Sequence, residues 1–252
     1  MALSRFCELF DALRVRATFF AVGREVAYAP QALRKAAAGQ HEIASHSHDH
    51  DYALSRRPAA QIAEDLQRCE DALASAGVAR PRGFRAPGYT ISPALLEAVK
   101  ARGYAYDSSL LPSPPYYLAK AAVMAGYSLR GRESRSILGT PAQLFSRRGA
   151  HRRSGVRELP VATLPLLRVP VIGTTVLAAP WLARGGFARG HLNLELHGID
   201  ALDASEVPAE IAAAQPGLRE KASAKLARLR ALLAALPGED CTLEEAATRL
   251  LP

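Results

Sequence analysis

The sequence predicts an α/β fold built on a parallel sheet or barrel. Three observations carry that expectation. Short β-rich runs alternate with segments of helical periodicity along most of the 252 residues. The helical segments end in Gly or begin at Ser and Pro, so each repeat is punctuated. Four polar clusters each follow directly on a candidate strand: "SHSHDH" after "HEIA", "RAPGY" after "GF", "DSS" after "YAY", and "HGID" after "LNLEL". In parallel α/β folds the loops at the carboxyl ends of the strands converge on one mouth, where the chemistry sits.

Taken in order, "LSRFCELFDALR" has apolar residues at helical spacing, and "ATFFAVG" is a short β-rich run ending in Gly. "PQALRKAAAG" predicts a helix and "HEIAS" a strand. "RPAAQIAEDLQRCEDALASAG" predicts a long amphipathic helix, with Ile62, Leu66, Cys69 and Leu73 on one stripe. "GFRAPG" runs from strand into turn. "SPALLEAVKARG" is a helix with Ser92 as N-cap, Pro93 in the first turn and Gly103 past its end. "YAYDSS" is a strand. Residues 111–155, rich in Pro, Ser, Gly and Arg, break the alternation and read as an insertion with one short helix near 115–126. Strands are expected again at "VRELPVATL", "LRVPVIG" and "HLNLELHGID", followed by a long helix at about 216–236 and a short one at 242–250. No internal repeat or linker divides the chain, so 1–252 is expected to form a single domain.

Composition narrows the function classes. Apolar residues make up 49% and charged residues 22%, a globular balance. No apolar run approaches the ~20 residues needed to span a bilayer, and the N-terminus lacks the pattern of a signal peptide, so a cytoplasmic location is expected. Cys7, Cys69 and Cys241 are far apart and form no CxxC pair, which argues against a disulfide framework or thiolate zinc site. The formal charge is +8, with arginine clusters at "RGRESR" (130–135) and "RRGAHRR" (147–153). Such loops offer peripheral contact with an anionic membrane. No nucleic-acid fold motif or interleaved aromatics accompany them, so no nucleic-acid partner is expected.

Each cluster has a chemical and a plain reading. His46 and His50 are four apart, a spacing that lets two imidazoles reach one divalent metal, and Asp49 and Asp51 could support them. The plain reading is a polar loop. Arg85 could grip a carboxylate in its fork, or lie at an ordinary strand-to-helix turn. Tyr89 follows, with a backbone N–H able to stabilise an oxyanion. Asp107, at a strand end, could orient a histidine or guanidinium, or cap a turn. His197, at the end of an apolar strand, could serve as a general acid or be a satisfied interior histidine. Asp200 and Asp203 read as turn residues.

The ordered set "ATFF", "HSHDH", "RAPGY", "DSS", "LELH" resembles the polysaccharide deacetylases, the NodB-homology domain of carbohydrate esterase family 4, over about residues 14–235. The segment before "RELPVATL" resembles the branch acting on membrane-linked polysaccharide. The resemblance implies a distorted (β/α) barrel of about seven strands that removes an N-acetyl group from a glycan or glycolipid sugar with one divalent metal, usually zinc. It makes His46 and His50 metal ligands and His197 the catalytic acid. Arg85 becomes the residue that positions the base, Asp107 the carboxylate that tunes the acid, and Tyr89 the source of the oxyanion-stabilising amide. The implied substrate is an N-acetylated glycan or a lipid-linked sugar.

One motif of the family is not found. Its first strand ends in paired aspartates, in a "TFDDG"-like stretch that supplies the base and the third metal ligand. Here Met1 lies within the helix that follows that strand, and Asp11 aligns with neither aspartate. The barrel is therefore expected to lack its first strand. The intact downstream pattern favours a longer reading frame over a chain that natively lacks base and ligand. Three alternatives follow: a catalytically inactive glycan-binding domain, a hydrolase of another non-peptide C–N bond such as a formamide, and a basic module for anionic lipid or nucleic acid.

Overall fold

In the computed structural model, which describes all residues except 132, 133, 135 and 187–189, the alternation read from the sequence becomes an α/β architecture. The strands are β1 (Thr18–Ala21), β2 (Glu42–Ser45), β3 (Gly83–Phe84), β4 (Tyr106–Asp107), β5 (His151–Arg153) and β6 (Val156–Glu158). They form one sheet in the order β1-β2-β3-β4-β6-β5. The pairs from β1 through β4 to β6 are parallel, and β5 joins β6 antiparallel. Thr18 pairs with Glu42, Ser45 with Phe84, Phe84 with Asp107, and Asp107 with Glu158. This register brings the carboxyl ends of successive strands level.

The helices are α1 (Ala2–Leu13), α2 (Pro30–Ala38), α3 (Ala59–Ser75), α4 (Pro93–Ala101), α5 (Pro114–Ser128), α6 (Pro141–Leu144), α7 (Gly173–Ala178), α8 (Trp181–Gly186), α9 (Ala209–Ala214), α10 (Ala222–Ala234) and α11 (Leu243–Leu250). The stripe Ile62, Leu66, Cys69 and Leu73 of α3 is fully buried. Ile62 and Leu66 meet Leu95, Leu96 and Val99 of α4 over Phe84, and Cys69 and Leu73 meet Leu33, Ala36 and Ile43. Phe6, Leu9 and Phe10 of α1 form a second body of core with Leu229 of α10. Burying a large aliphatic side chain contributes roughly 1.5–3 kcal/mol, so these faces hold the helices on the sheet. Ser92 caps α4, its hydroxyl accepting from the Leu95 amide at 3.2 Å. All three cysteines are free, and burial pushes the Cys69 thiol up to about 11. Among the described residues no helix is long and apolar enough to cross a membrane.

Three elements differ from expectation. The segment 111–155 contains α6 and the strand β5 besides the expected helix, and β5 gives the parallel sheet an antiparallel edge. The "RGRESR" cluster lies in part outside the described residues. "LRVPVIG" and "HLNLELHGID" do not form ladders. They meet in single bridges, Thr163 with Pro170 and Ile172 with Glu195. Pro170 has no N–H to donate, and the Asn193 side chain takes over part of the pairing by donating to the carbonyls of Leu159 and Pro160 at 3.0 and 3.1 Å. The long helix begins at Ala222 rather than near 216. Pro216–Leu218 forms a separate turn, and the Asp203 carboxylate accepts the Ala222 amide at 3.1 Å and fixes the start.

Candidate functional site at the carboxyl ends of the strands

The loop after β2 is held from two sides. The Asp65 carboxylate, on α3, accepts the amides of His48 and Asp49 at 2.9 and 3.0 Å. The Ser47 hydroxyl accepts the His50 amide at 3.0 Å. Ser47 and His50 have φ of 64° and 51°, left-handed conformations that non-glycine residues adopt at a cost. The turn brings the His46 and His50 rings together, with centroids 4.9 Å apart and planes at 64°. His46 Nδ1 lies 2.7 Å from the Arg85 carbonyl oxygen. A carbonyl can only accept, so Nδ1 carries the proton and Nε2 keeps its lone pair. Burial and the neighbouring His50 push His46 down to about 3, and burial with Arg24 lowers His50 as well. Both rings are therefore neutral at physiological pH, the form that binds metal.

Arg85 leaves β3 and is almost completely enclosed. Its Nε and Nη2 donate to the Ser108 carbonyl and hydroxyl at 2.9 and 2.8 Å, and its Nη1 to Glu195 Oε1 at 3.0 Å. The guanidinium also lies 4.2 Å from the centre of the Phe20 ring. The fork of Arg85 thus holds a carboxylate of the chain itself. Gly88 and Tyr89 both have positive φ, 64° and 62°. A Cβ on Gly88 would meet the Tyr52 ring at 2.5 Å, so only glycine fits there. The Tyr89 amide closes this turn onto the Ala86 carbonyl at 3.3 Å, while its phenol donates to Glu195 Oε2 at 2.6 Å.

His197 stands at the mouth with half its side chain exposed, its Nε2 3.9 Å from Glu195 Oε1. Its amide donates to Asp200 Oδ2 at 2.7 Å, so Asp200 caps the turn Gly198–Ala201. A Cβ on Gly173 would fall 1.8 Å from that carboxylate, which makes Gly173 part of the same turn's support. Asp107 has a different environment. It is fully buried, pairs with Arg153 at 2.8 Å and accepts from the Ser109 hydroxyl. Among the described residues it makes no contact with His197. Its register beside Glu158 draws it toward the β5–β6 hairpin, where Arg153 reaches both carboxylates. Asp49 and Asp51 face outward to Arg68 and Arg57, at 2.7 and 2.8 Å.

The mouth therefore brings together His46, His50, Arg85, Tyr89 and His197, and leaves Asp107 in a separate cluster. Two residues at its centre escape the motif reading. Glu195 joins Arg85, Tyr89 and His197, and its signal is period two: Asn193, Glu195 and His197 are the polar alternates of "LNLELH". Asp65 is one of two buried acids of α3, next to Leu66; the other, Glu70, pairs with Arg80 and Arg102. As a metal site the donors fit in kind, two neutral imidazoles with one oriented ring. They fall short in number of the three protein ligands of a catalytic zinc site. Among the described residues no group of three His, Cys, Asp or Glu is placed to hold an ion.

Known proteins resemble this chain in its fold and in part of its sequence. Residues 2–106 match the model of the polysaccharide deacetylase family. A chitooligosaccharide deacetylase from Bradyrhizobium sp. (strain ANU 289) is 39% identical over 88 residues, which cover 32% of this chain and 40% of the relative. The chain thus spans about two fifths of the length of the curated relative it matches. A candidate polysaccharide deacetylase from Mycobacterium smegmatis superposes over 98% of this chain and 76% of its own, with 17% identity and a TM-score of 0.64. A CE4 family pseudoenzyme from Bacillus anthracis superposes over 96% and 58%, with 12% identity and a TM-score of 0.51. The last two support the NodB-type α/β fold. The sequence match to the polysaccharide deacetylase family rests on residues 2–106, and the likeness to the two solved structures is one of fold.

Proposed function

We propose that this chain hydrolyses the N-acetyl group of a sugar in a glycan or lipid-linked glycan, with His46 and His50 holding a divalent metal, zinc by its donor preference. The observation that carries the reading is the neutral His46–His50 pair beside the Arg85–Glu195–His197 arrangement. A divalent ion held there would polarise the amide carbonyl and a bound water. His46 is oriented by the Arg85 carbonyl so that Nε2 faces away from that bond. Glu195 has both oxygens committed, one to Arg85 and one to Tyr89, so its part is orientation and charge rather than proton abstraction. His197 reaches solvent and delivers a proton to the nitrogen of the leaving amine as the C–N bond breaks. The water adds its oxygen to the acyl carbon and gives up its protons, one restoring His197 and one passing to solvent, and the products are acetate and the free amino sugar.

A second reading, a glycan-binding domain without turnover, is favoured by the count of two protein donors. One structural neighbour is itself a pseudoenzyme. One experiment separates them: zinc stoichiometry and acetate release from an N-acetylated chitooligosaccharide, for the full chain and for His50→Ala. Stoichiometric zinc and acetate release, both lost in His50→Ala, support the hydrolase. Binding of the oligosaccharide without zinc or release, unchanged in the variant, supports the second reading.

A further inference from the structure

Two adjacent leucines, Leu166 and Leu167, stand at the tip of a hairpin at 93% and 72% exposure, and Phe145 is 67% exposed. Isolated apolar side chains on a surface need no explanation, but a fixed group of large ones does. The hairpin is built, not loose. Thr163 bridges Pro170, and the Leu164 amide donates to the Val169 carbonyl at 2.9 Å. Two arginines stitch it to the segment carrying Phe145. Arg168, at φ 50°, donates to the carbonyls of Leu144 and Ser146 at 3.4 and 3.2 Å. Arg148 reaches back to the carbonyls of Thr163 and Pro165 and to the Thr163 hydroxyl. The carbonyls that hold Arg168 are neutral, so its guanidinium charge persists at the base of the apolar tip. Arg147 is exposed beside Phe145, and neither it nor Arg168 forms an ion pair with a described carboxylate.

We propose that this tip, Leu166 and Leu167 with Phe145 beside them, inserts into the surface of an anionic bilayer while Arg147 and Arg168 meet the lipid phosphates. A short apolar wedge ringed by arginine matches the layering of a membrane interface, acyl chains beneath and phosphate above. A second copy of the chain matches it poorly. A twofold contact sets a patch against itself, arginine opposite arginine. Three side chains are also far fewer than the roughly 20–30 residues a side of a stable protein interface.

The location gives the contact a use, a point that rests on the deacetylase reading. The outgoing leg of the hairpin continues from the carboxyl end of β6. Its return leg bridges Glu195 through Ile172, and the Gly173 amide donates to the Glu195 carbonyl at 2.8 Å. The wedge is thus joined directly to the mouth, and insertion would hold that mouth beside a sugar linked to lipid.

The test is sedimentation of the full chain with vesicles of phosphatidylcholine and phosphatidylglycerol, and with phosphatidylcholine alone. The expected result is binding to the anionic vesicles, about tenfold weaker in the L166S/L167S double variant, with its circular dichroism and melting unchanged because both positions are solvated. In a separate L166W variant, tryptophan emission is expected to shift to the blue on anionic vesicles. Equal binding of the double variant and the parent chain, or no emission shift at saturation, overturns the proposal. So does a parent chain that ignores vesicles but dimerises through this tip. Acetate release from a soluble oligosaccharide, measured on the same double variant, reports on the deacetylase reading independently.

Discussion

At the amino ends of β2 and β3 a cavity of about 610 Å³ is lined by Glu42, Arg82, Glu244 and residues of α11. At the carboxyl ends of the same strands stand His46, Arg85 and the rest of the candidate site. Both ends hold an arginine, Arg82 and Arg85, three positions apart and bracketing β3, and each is paired with a glutamate. The Arg82–Glu244 pair, 3.3 Å apart, is open to solvent, whereas Arg85–Glu195, 3.0 Å apart, is enclosed. Glu42 is also occupied, accepting from Tyr106, Thr18 and the Glu244 amide and so docking α11 on the sheet. This cavity thus borders the attachment of a terminal helix. The proposed chemistry lies instead with the convergent, oriented side chains at the carboxyl ends.

Four substitutions test that contrast, beginning with the largest effect. His197→Ala is expected to lower kcat for acetate release by about 10²–10⁴-fold while zinc content stays unchanged, since a general acid and not a ligand is removed. A variant with parental kcat would remove His197 from the mechanism. Glu195→Ala should destabilise the fold by about 3–5 kcal/mol in urea unfolding, because the Arg85 guanidinium is left buried without its counter-charge. A loss below about 1 kcal/mol would mean that water reaches Arg85 as it reaches Arg82.

The third concerns pH. Burial and the adjacent Asp107, against the pull of Arg153, raise Glu158 well above its ordinary value of 4.5, so the folded chain holds that proton to higher pH than the unfolded one. The unfolded chain releases that proton near the ordinary value, and the folded chain only at higher pH. The stabilising contribution is therefore complete below the ordinary value and is lost as pH rises toward the folded one, at a slope of up to about 1.4 kcal/mol per pH unit. Glu158→Gln keeps an acceptor for the Leu110 amide and should flatten this part of the stability profile. An unchanged profile in thermal melts from acid to neutral pH would contradict a protonated Glu158. The smallest effect is expected at the opposite end of the sheet. Arg82→Ala should cost less than about 1 kcal/mol and leave acetate release untouched.

Much of the scaffold was legible along the chain because it depends on local periodicity and end signals. The stripe of α3, the Ser92 cap and the strands before the first three polar clusters are examples. The two bridges near Pro170 and Glu195 were overread as strands, because an apolar alternating run is also what a single-bridge segment looks like when side chains take the hydrogen bonds. At the site, His46 and His50 were visible because their spacing is local. The partnership of Glu195 with Arg85 spans 110 positions and has no local signature.

What the sequence determined by itself is therefore the order of most elements and the placing of three of the four polar clusters at strand ends, since both follow from 2.0 and 3.6 periodicities and from turn chemistry. The tertiary structure alone decided how the charges are partnered. The register of β4 against β6 joins Asp107 to Glu158 and Arg153, and the Ile172 bridge carries Glu195 to Arg85 and His197. The reason is physical: a carboxylate takes whichever cation the packed sheet brings within reach, and that choice is fixed by register across the fold rather than by neighbours along the chain.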